Sequence, residues 1–361
     1  MRAEQSRAEQ SRAEQSRAEQ SRAEIIDFLK GVLVILVVIG HSIQFGSGNQ
    51  YLSSEKFYDN WIFKIIYTFH MPLLGLISGY LYQIKNKKFC SILIGKIRSL
   101  VIPIICWVTI EFVMLYLCGR YRGNDTLNIF KAYISKVVFS YWFLWAVFLA
   151  SIIVFVVEKY CKGSSLVYGL IVIFSLLIPT KLNVHLYTYI FPYYFIGHII
   201  RSKGHDIESF SKKKIQKIDV VFISAFLILL SGFQKVHYIY NSCISIIDSE
   251  NWIIQLGIDM YRWGIGLVGC YVCVRILFVL YNVLPYRLPV KIISYLGKIS
   301  IGIYIGNCLY NVYILIPFAS NFSYNLLLTT IESLLSIIIC VILYQIIDKN
   351  CILKVYLFGG R

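Results

Sequence analysis

Asp27, Lys30 and His41 are the ionisable members of the stretch DFLKGVLVILVVIGHS, which is otherwise apolar enough to enter a bilayer. Charged or titratable side chains in such a segment are expensive and commonly mark function. Lys30 and His41 lie eleven residues apart, close to three helical turns, so a helix projects both from one face about 16 Å apart, with Asp27 near the same stripe. Imidazole titrates near neutral pH and can take a proton as general base, whereas a cation better holds an anionic group or a carbonyl. Asp27 could then orient Lys30. The plainer alternative leaves Asp27 and Lys30 at headgroup level, with the lysine snorkelling and His41 capping the far end.

A second imidazole, His70, stands in IYTFHMPLLGLISGYLY. If the helices carrying His41 and His70 are antiparallel neighbours, the two rings come to similar depth and could serve as base and orienter; otherwise His70 is a hydrogen-bonded interhelical histidine. Met71-Pro72 interrupts the helical ladder, and Ser78-Gly79-Tyr80 allows close backbone approach, both tolerated where a helix lines a cavity. Glu111, inside a third apolar run, is a further candidate or an interhelical hydrogen-bonding group. Asp259 and Arg262 have the i,i+3 spacing of a structural pair. His185, His198, His205 and His237 fall at helix ends or in loops, where solvated histidine is the default reading. Tyr238 and Tyr240 could stack on sugar rings.

The elements that must carry these groups follow from composition. The 361 residues are 58% hydrophobic and 15% charged, with a mean hydropathy of +0.66, which describes an all-α polytopic membrane protein. Near-spanning runs fall at about 25–45, 62–83, 100–118, 140–158, 165–180, 184–200, 218–234, 257–281, 293–316 and 324–346, or about ten transmembrane helices. With an N-terminus in the cytoplasm, the inside connections collect Lys85, Lys87, Lys88, Lys96, Arg98 and the basic run Lys212, Lys213, Lys214, Lys217. That bias predicts both termini cytoplasmic. The net charge of +16 is spread over such connections, so nucleic-acid binding is disfavoured. Cys270 and Cys273 form a lone CxxC inside a candidate span and read as small packing residues, so no metal is expected. No cleavable signal peptide is expected, because the first apolar run is too long for a typical h-region.

Residues 2–24 are four copies of RAEQS and a partial fifth, RAE. This low-complexity tract, 1–24, reads as a cytoplasmic, disordered or marginally helical segment ahead of a transmembrane domain at 25–346 and a short tail at 347–361. The pentapeptide can be encoded AGA GCA GAG CAG AGC, a five-base unit AGAGC, whose gain or loss shifts the frame and would make expression phase-variable. Such switching suits a gene that decorates an exposed surface.

The ordered set of Asp-x-x-Lys-Gly, Lys30-x10-His41, FHMP with His70 and SGY at Ser78 to Tyr80 resembles the membrane-bound acyltransferase-3 family, in particular its fucose 4-O-acetylase-like branch. KIRSLVIPIICW, YWFLWAVF beginning at Tyr141 with Trp142, YYFIGHII with Gly197, and YLGKISIGIYIGN extend the similarity across nearly all of the hydrophobic portion. The resemblance implies ten spanning helices, acetyl-CoA as acyl donor from the cytoplasm, and transfer to a hydroxyl of a glycan or lipid. It makes His41 the motif histidine and puts Lys30 where arginine is more frequent; where relatives often carry a late histidine, this chain has Asn307. Lys30, Lys96, Arg98, Arg275 and Lys298 are then candidates to hold the phosphates of coenzyme A, each with snorkelling as the alternative.

The expected function is O-acetylation of a bacterial surface polysaccharide, O-antigen or capsule, or its lipid-linked precursor, at the cytoplasmic (inner) membrane. The rival class is a transporter or flippase of a lipid-linked glycan, which a paired repeat of broken helices would favour; residues 180–361 contain no second LKG…H stripe. A membrane scaffold with a degenerate site is a third reading. Oligomeric state is not legible in the sequence.

Overall fold

A computed structural model of the protein describes residues 2–84, 88–123, 125–179, 184–242, 244–284 and 287–359, with backbone alone for 2–19 and 287. All regular structure among the described residues is helical. In chain order the main helices are α1 Arg2–Phe45, α2 Trp61–Leu81, α3 Phe89–Leu117, α4 Thr126–Phe139, α5 Trp142–Cys161, α6 Ser165–Ser175, α7 Val184–Ser202, α8 Lys217–Ser231, α9 Trp252–Val283, α10 Arg287–Lys298, α11 Ser300–Phe318, α12 Leu326–Asp348 and α13 Cys351–Phe358. Six of them, α2, α3, α5, α9, α11 and α12, are long and apolar enough to cross a membrane. The protein is a multi-pass membrane protein.

The ten expected runs map unevenly onto these helices. The 25–45 run is the second half of the 44-residue α1, whose helix continues back through the repeat to Arg2. The runs at 165–180 and 218–234 form helices of 11 and 15 residues, only about 17 and 23 Å of rise against a hydrocarbon core of about 30 Å. The expected single helix at 293–316 is two, because Ile299 (φ −97°, ψ 15°) ends α10 before α11 starts. The expected tail also folds, as α13.

The chain divides into two compact units. The first comprises Met1–Phe57, Gly204–Ser231 and Val268–Val341. Its α1 carries Leu29, Leu33 and Val37 at helical spacing, all buried, and lies directly against α10. A Cβ at Gly31 would fall 1.9 Å from the Ile293 carbonyl oxygen, and one at Gly297 would fall 1.8 Å from that of Asp27, so the two backbones touch where only glycine fits. Such close approach is how helices associate where apolar burial offers little difference from lipid. Phe28 packs edge-on against Tyr281 at 5.3 Å, and Arg22 pairs with Asp206 at 3.1 Å.

The second unit comprises Tyr58–Lys203, Gly232–Leu267 and Ile342–Arg361. Here α2 crosses α7 on another glycine pair: added Cβ atoms at Gly79 and Gly197 would lie 1.9 Å from the Tyr194 oxygen and 2.0 Å from the Leu76 oxygen. Each helix also contains a proline, Pro72 and Pro192. The Trp107 indole donates to the Leu357 carbonyl at 2.8 Å, docking α13 on α3. A long segment from Gly232 to Asn251 is gathered by Arg262, which is 2% exposed. Its guanidinium donates to Asp259 Oδ1 at 2.9 Å and to the carbonyls of His237 and Ser242, both at 2.9 Å.

Candidate active site around His41

In the first unit, α1 turns His41 toward α11 and α12. His41 Nδ1 lies 2.6 Å from Asn307 Oδ1. The Asn307 amide nitrogen donates to Ser336 Oγ at 2.9 Å, and Asn311 Nδ2 donates to Asn307 Oδ1 at 3.2 Å. With the amide nitrogen turned to Ser336, the oxygen faces the ring, so this network assigns the proton to Nδ1 and leaves Nε2 with the lone pair. Asn307 is fully buried and Asn311 is 3% exposed. The helix widens into a π-helical turn at Asn311–Leu315, beginning at the second of this pair, a distortion frequent at functional sites. His41 itself is half-buried, with Phe45 tilted against it at 5.8 Å.

At the other end of the stripe, Lys30 Nζ meets Asp27 Oδ1 at 2.8 Å, with both side chains partly exposed. The ion pair is the one the i,i+3 spacing allows. Lys298 is exposed. Arg275 is buried against Asp219 at 2.8 and 2.9 Å and donates to the carbonyls of Lys213 and Lys214. Its charge was legible in the sequence, but the carboxylate that neutralises it is 56 residues away.

The remaining candidates belong to the second unit. His70 is buried, and its Nδ1 lies 2.7 Å from the Ile66 carbonyl oxygen, one turn back on α2. Tyr67 packs against the ring edge at 4.7 Å. Ser78 donates to the Leu74 carbonyl at 2.7 Å, Gly79 makes the α7 contact, and Tyr80 lies under the Arg201 guanidinium at 5.4 Å. Lys96 sits over the Tyr82 ring at 4.6 Å, while Arg98 is exposed. Glu111 pairs with Lys136 at 2.6 Å. Trp142 stands half-buried between Phe143 and Tyr240.

Of the histidines expected to be solvated, His198 is buried and His237 is half-buried. His198 is 5% exposed, with Nε2 2.9 Å from Glu158 Oε1 and Nδ1 3.2 Å from the Tyr82 carbonyl; Tyr168 donates to the same carboxylate oxygen at 3.2 Å. His237 accepts the Gln234 N–H at 2.8 Å in the segment held by Arg262. Sequence reasoning also passed over Glu332, a lone acid in the apolar run that becomes α12 and only 4% exposed. The rule that singled out Asp27 and His41 applies to it equally.

An imidazole oriented by a buried carboxamide and set among apolar helices has the geometry that general-base proton transfer requires. The acyltransferase-3 family model, described as an acyltransferase domain, matches residues 24–345. The chain belongs to that family. Nodulation protein NolL of Mesorhizobium japonicum is 29% identical over 231 residues, covering 62% of this chain and 60% of the relative. Nodulation protein NolL of Sinorhizobium fredii is 28% identical over 232 residues, covering 62% and 61%. The chain thus spans about three fifths of the length of these curated relatives. No solved structure matches it.

Proposed function

We propose that the protein is a multi-pass O-acetyltransferase of the bacterial inner membrane that moves acetyl from acetyl-CoA to a hydroxyl of a surface polysaccharide, O-antigen or capsule, or of its lipid-linked precursor. The observation that carries the reading is the 2.6 Å contact between His41 Nδ1 and Asn307 Oδ1. It aims the basic Nε2 away from the carboxamide, as a general base requires.

In this reading, the acceptor hydroxyl oxygen attacks the thioester carbonyl while His41 Nε2 takes its proton. The C–S bond then breaks, the proton returns to the departing thiolate, and the products are the acetyl ester and free coenzyme A. Asn307 holds the tautomer and accepts a strengthened hydrogen bond when the imidazolium forms. It supplies orientation without a negative charge, so it fills a positioning role where relatives often carry histidine. His70, bonded to its own helix backbone, has no proton-transfer duty in this scheme. Lys30, held by Asp27, and the exposed Lys298 are the first unit's cations proposed for donor phosphates; Lys96 and the exposed Arg98 are separate candidates in the second unit.

About ten spans with both termini cytoplasmic remain the proposed topology, α1 from residue 25 and the shorter α6, α7 and α8 completing the six long helices. The RAEQS tract is proposed to be the translated AGAGC repeat, switching expression by frame. Sequencing the tract in sibling colonies that differ in surface O-acetyl tests that switch. The enzyme reading is tested by the acetyl content of surface glycan with the gene present, deleted, or carrying His41→Ala. Loss of acetyl with normal glycan export supports it; unchanged acetyl in both altered strains overturns it, and loss of export itself would favour the flippase.

A further inference from the structure

Glu332 is the acid that the proton-transfer scheme does not use. It sits on α12 at 4% exposure, and neither carboxyl oxygen has a hydrogen-bond donor among the described residues. A buried carboxyl without partners forgoes the interactions that usually offset its desolvation, which calls for a ligand or a function. Ser42, the neighbour of His41 on α1, is fully buried and its Oγ is likewise without a partner. Ser42 lies four residues before Gly46, which meets the Glu332 carboxyl. A Cβ at Gly46, just past the end of α1, would lie 2.0 Å from Glu332 Oε2, so the carboxyl packs directly against this glycine.

This spot adjoins the His41 network. Ser336, which accepts the Asn307 hydrogen bond, lies four residues from Glu332 on the same face of α12, about 6 Å along the axis. Its chain neighbour Ile331, with Asn321, Phe322, Ser323 and Asn325, lines an open cavity of about 440 Å³ at the start of α12. Beside it Tyr51 and Tyr324 stack at 5.7 Å with 12° between their planes. Carboxamides, hydroxyls and aromatic faces suit a neutral sugar, and a carboxylate takes two neighbouring hydroxyls with its two oxygens.

The geometry points to Glu332, assisted by Ser42, as the acceptor subsite: its carboxylate accepts hydrogen bonds from hydroxyls of the sugar ring adjacent to the one acylated, presenting the latter to His41. No bond to Glu332 forms or breaks. The inference rests on the acyltransferase reading and deepens it by assigning the acceptor end of the same unit. It makes the substrate a glycan with vicinal hydroxyls rather than a simple lipid alcohol.

The test uses membrane vesicles carrying the full chain, labelled acetyl-CoA, and glycolipid extracted from host cells that lack the gene. Glu332→Gln and Glu332→Ala are expected to raise the KM for the extract at least tenfold and leave the KM for acetyl-CoA within twofold of wild type. Glu332→Asp falls between, and Ser42→Ala shows a smaller effect of the same kind. Glu332→Gln keeps the side-chain shape should the alanine variant fail to fold. An unchanged acceptor KM in Glu332→Gln, or equal changes in both KM values, overturns the subsite while the acyltransferase reading stands. A wild type that transfers no acetyl to the extract overturns both.

Discussion

Replacing Asn307 with leucine removes the acceptor for the His41 Nδ1–H while keeping a side chain of similar size. The bond lost measures 2.6 Å, and it becomes charge-assisted at the moment His41 holds the acceptor's proton. Hydrogen bonds to charged groups contribute about 1.5–3 kcal/mol. At about 1.4 kcal/mol per decade, Asn307→Leu should lower kcat by about 10- to 150-fold. The acetyl-CoA KM should hold, because Asn307 is fully buried in a contact with His41, Asn311 and Ser336. A folding cost accompanies the catalytic one, since Ser336 and Asn311 each lose a buried partner at about 1–3 kcal/mol per orphaned group. Asn307→Asp separates the two effects: it keeps an oxygen for Nδ1–H and should retain more activity than leucine. The assay is initial-rate transfer of labelled acetyl in membrane vesicles, with His41→Ala as the inactive reference. A leucine variant within twofold of wild-type kcat, beside an inactive His41→Ala, would refute the reasoning.

Three further outcomes follow from the second unit. Arg262→Met leaves Asp259, fully buried, without its cation and should cost about 3–5 kcal/mol, read as a lowered Tm in detergent that Asp259→Asn partly restores. His237 has its pKa held below the ordinary 6.5 by burial and by the Arg262 charge. The unfolded segment therefore takes the proton first: stability is complete above about pH 6.5 and declines as pH falls below it. Hydrogen exchange across 232–251 should accelerate between pH 7.5 and 5.5, and a pH-independent rate after correction for intrinsic exchange would contradict this. Trp107→Phe deletes the 2.8 Å tie to Leu357 and should expose α13 to limited proteolysis at about 1 kcal/mol of local stability; unchanged cleavage would count against the docking.

Local relations were the legible part of this protein. The i,i+3 pairs Asp27–Lys30 and Asp259–Arg262 follow from spacing alone, and both form at 2.8 and 2.9 Å. Gly79 was marked for close approach, and it touches α7. Partners distant in sequence were not legible: Asn307 is 266 positions from His41, Glu158 is 40 from His198, and Asp219 is 56 from Arg275. Hydropathy also merged α10 with α11, because Ile299 breaks the helix by its backbone angles and carries no Gly or Pro to announce the stop. Glu332 was legible in type, as an acid in an apolar run, but its meaning depends on Gly46 and Ser42 from the other end of the chain.

The continuity of α1 gives the repeat a mechanical consequence. In a helix, five residues rise about 7.5 Å and turn about 140° beyond a full revolution, so a whole RAEQS copy adds a fixed increment of length and a fixed rotation to the rod ahead of Arg22. If the tract varies as proposed, alleles that stay in frame would differ by such whole copies, three five-base units at a time. They would therefore encode the same membrane-embedded unit carrying handles of quantised length, with the Arg22–Asp206 contact at 3.1 Å as the clamp from which each handle is measured.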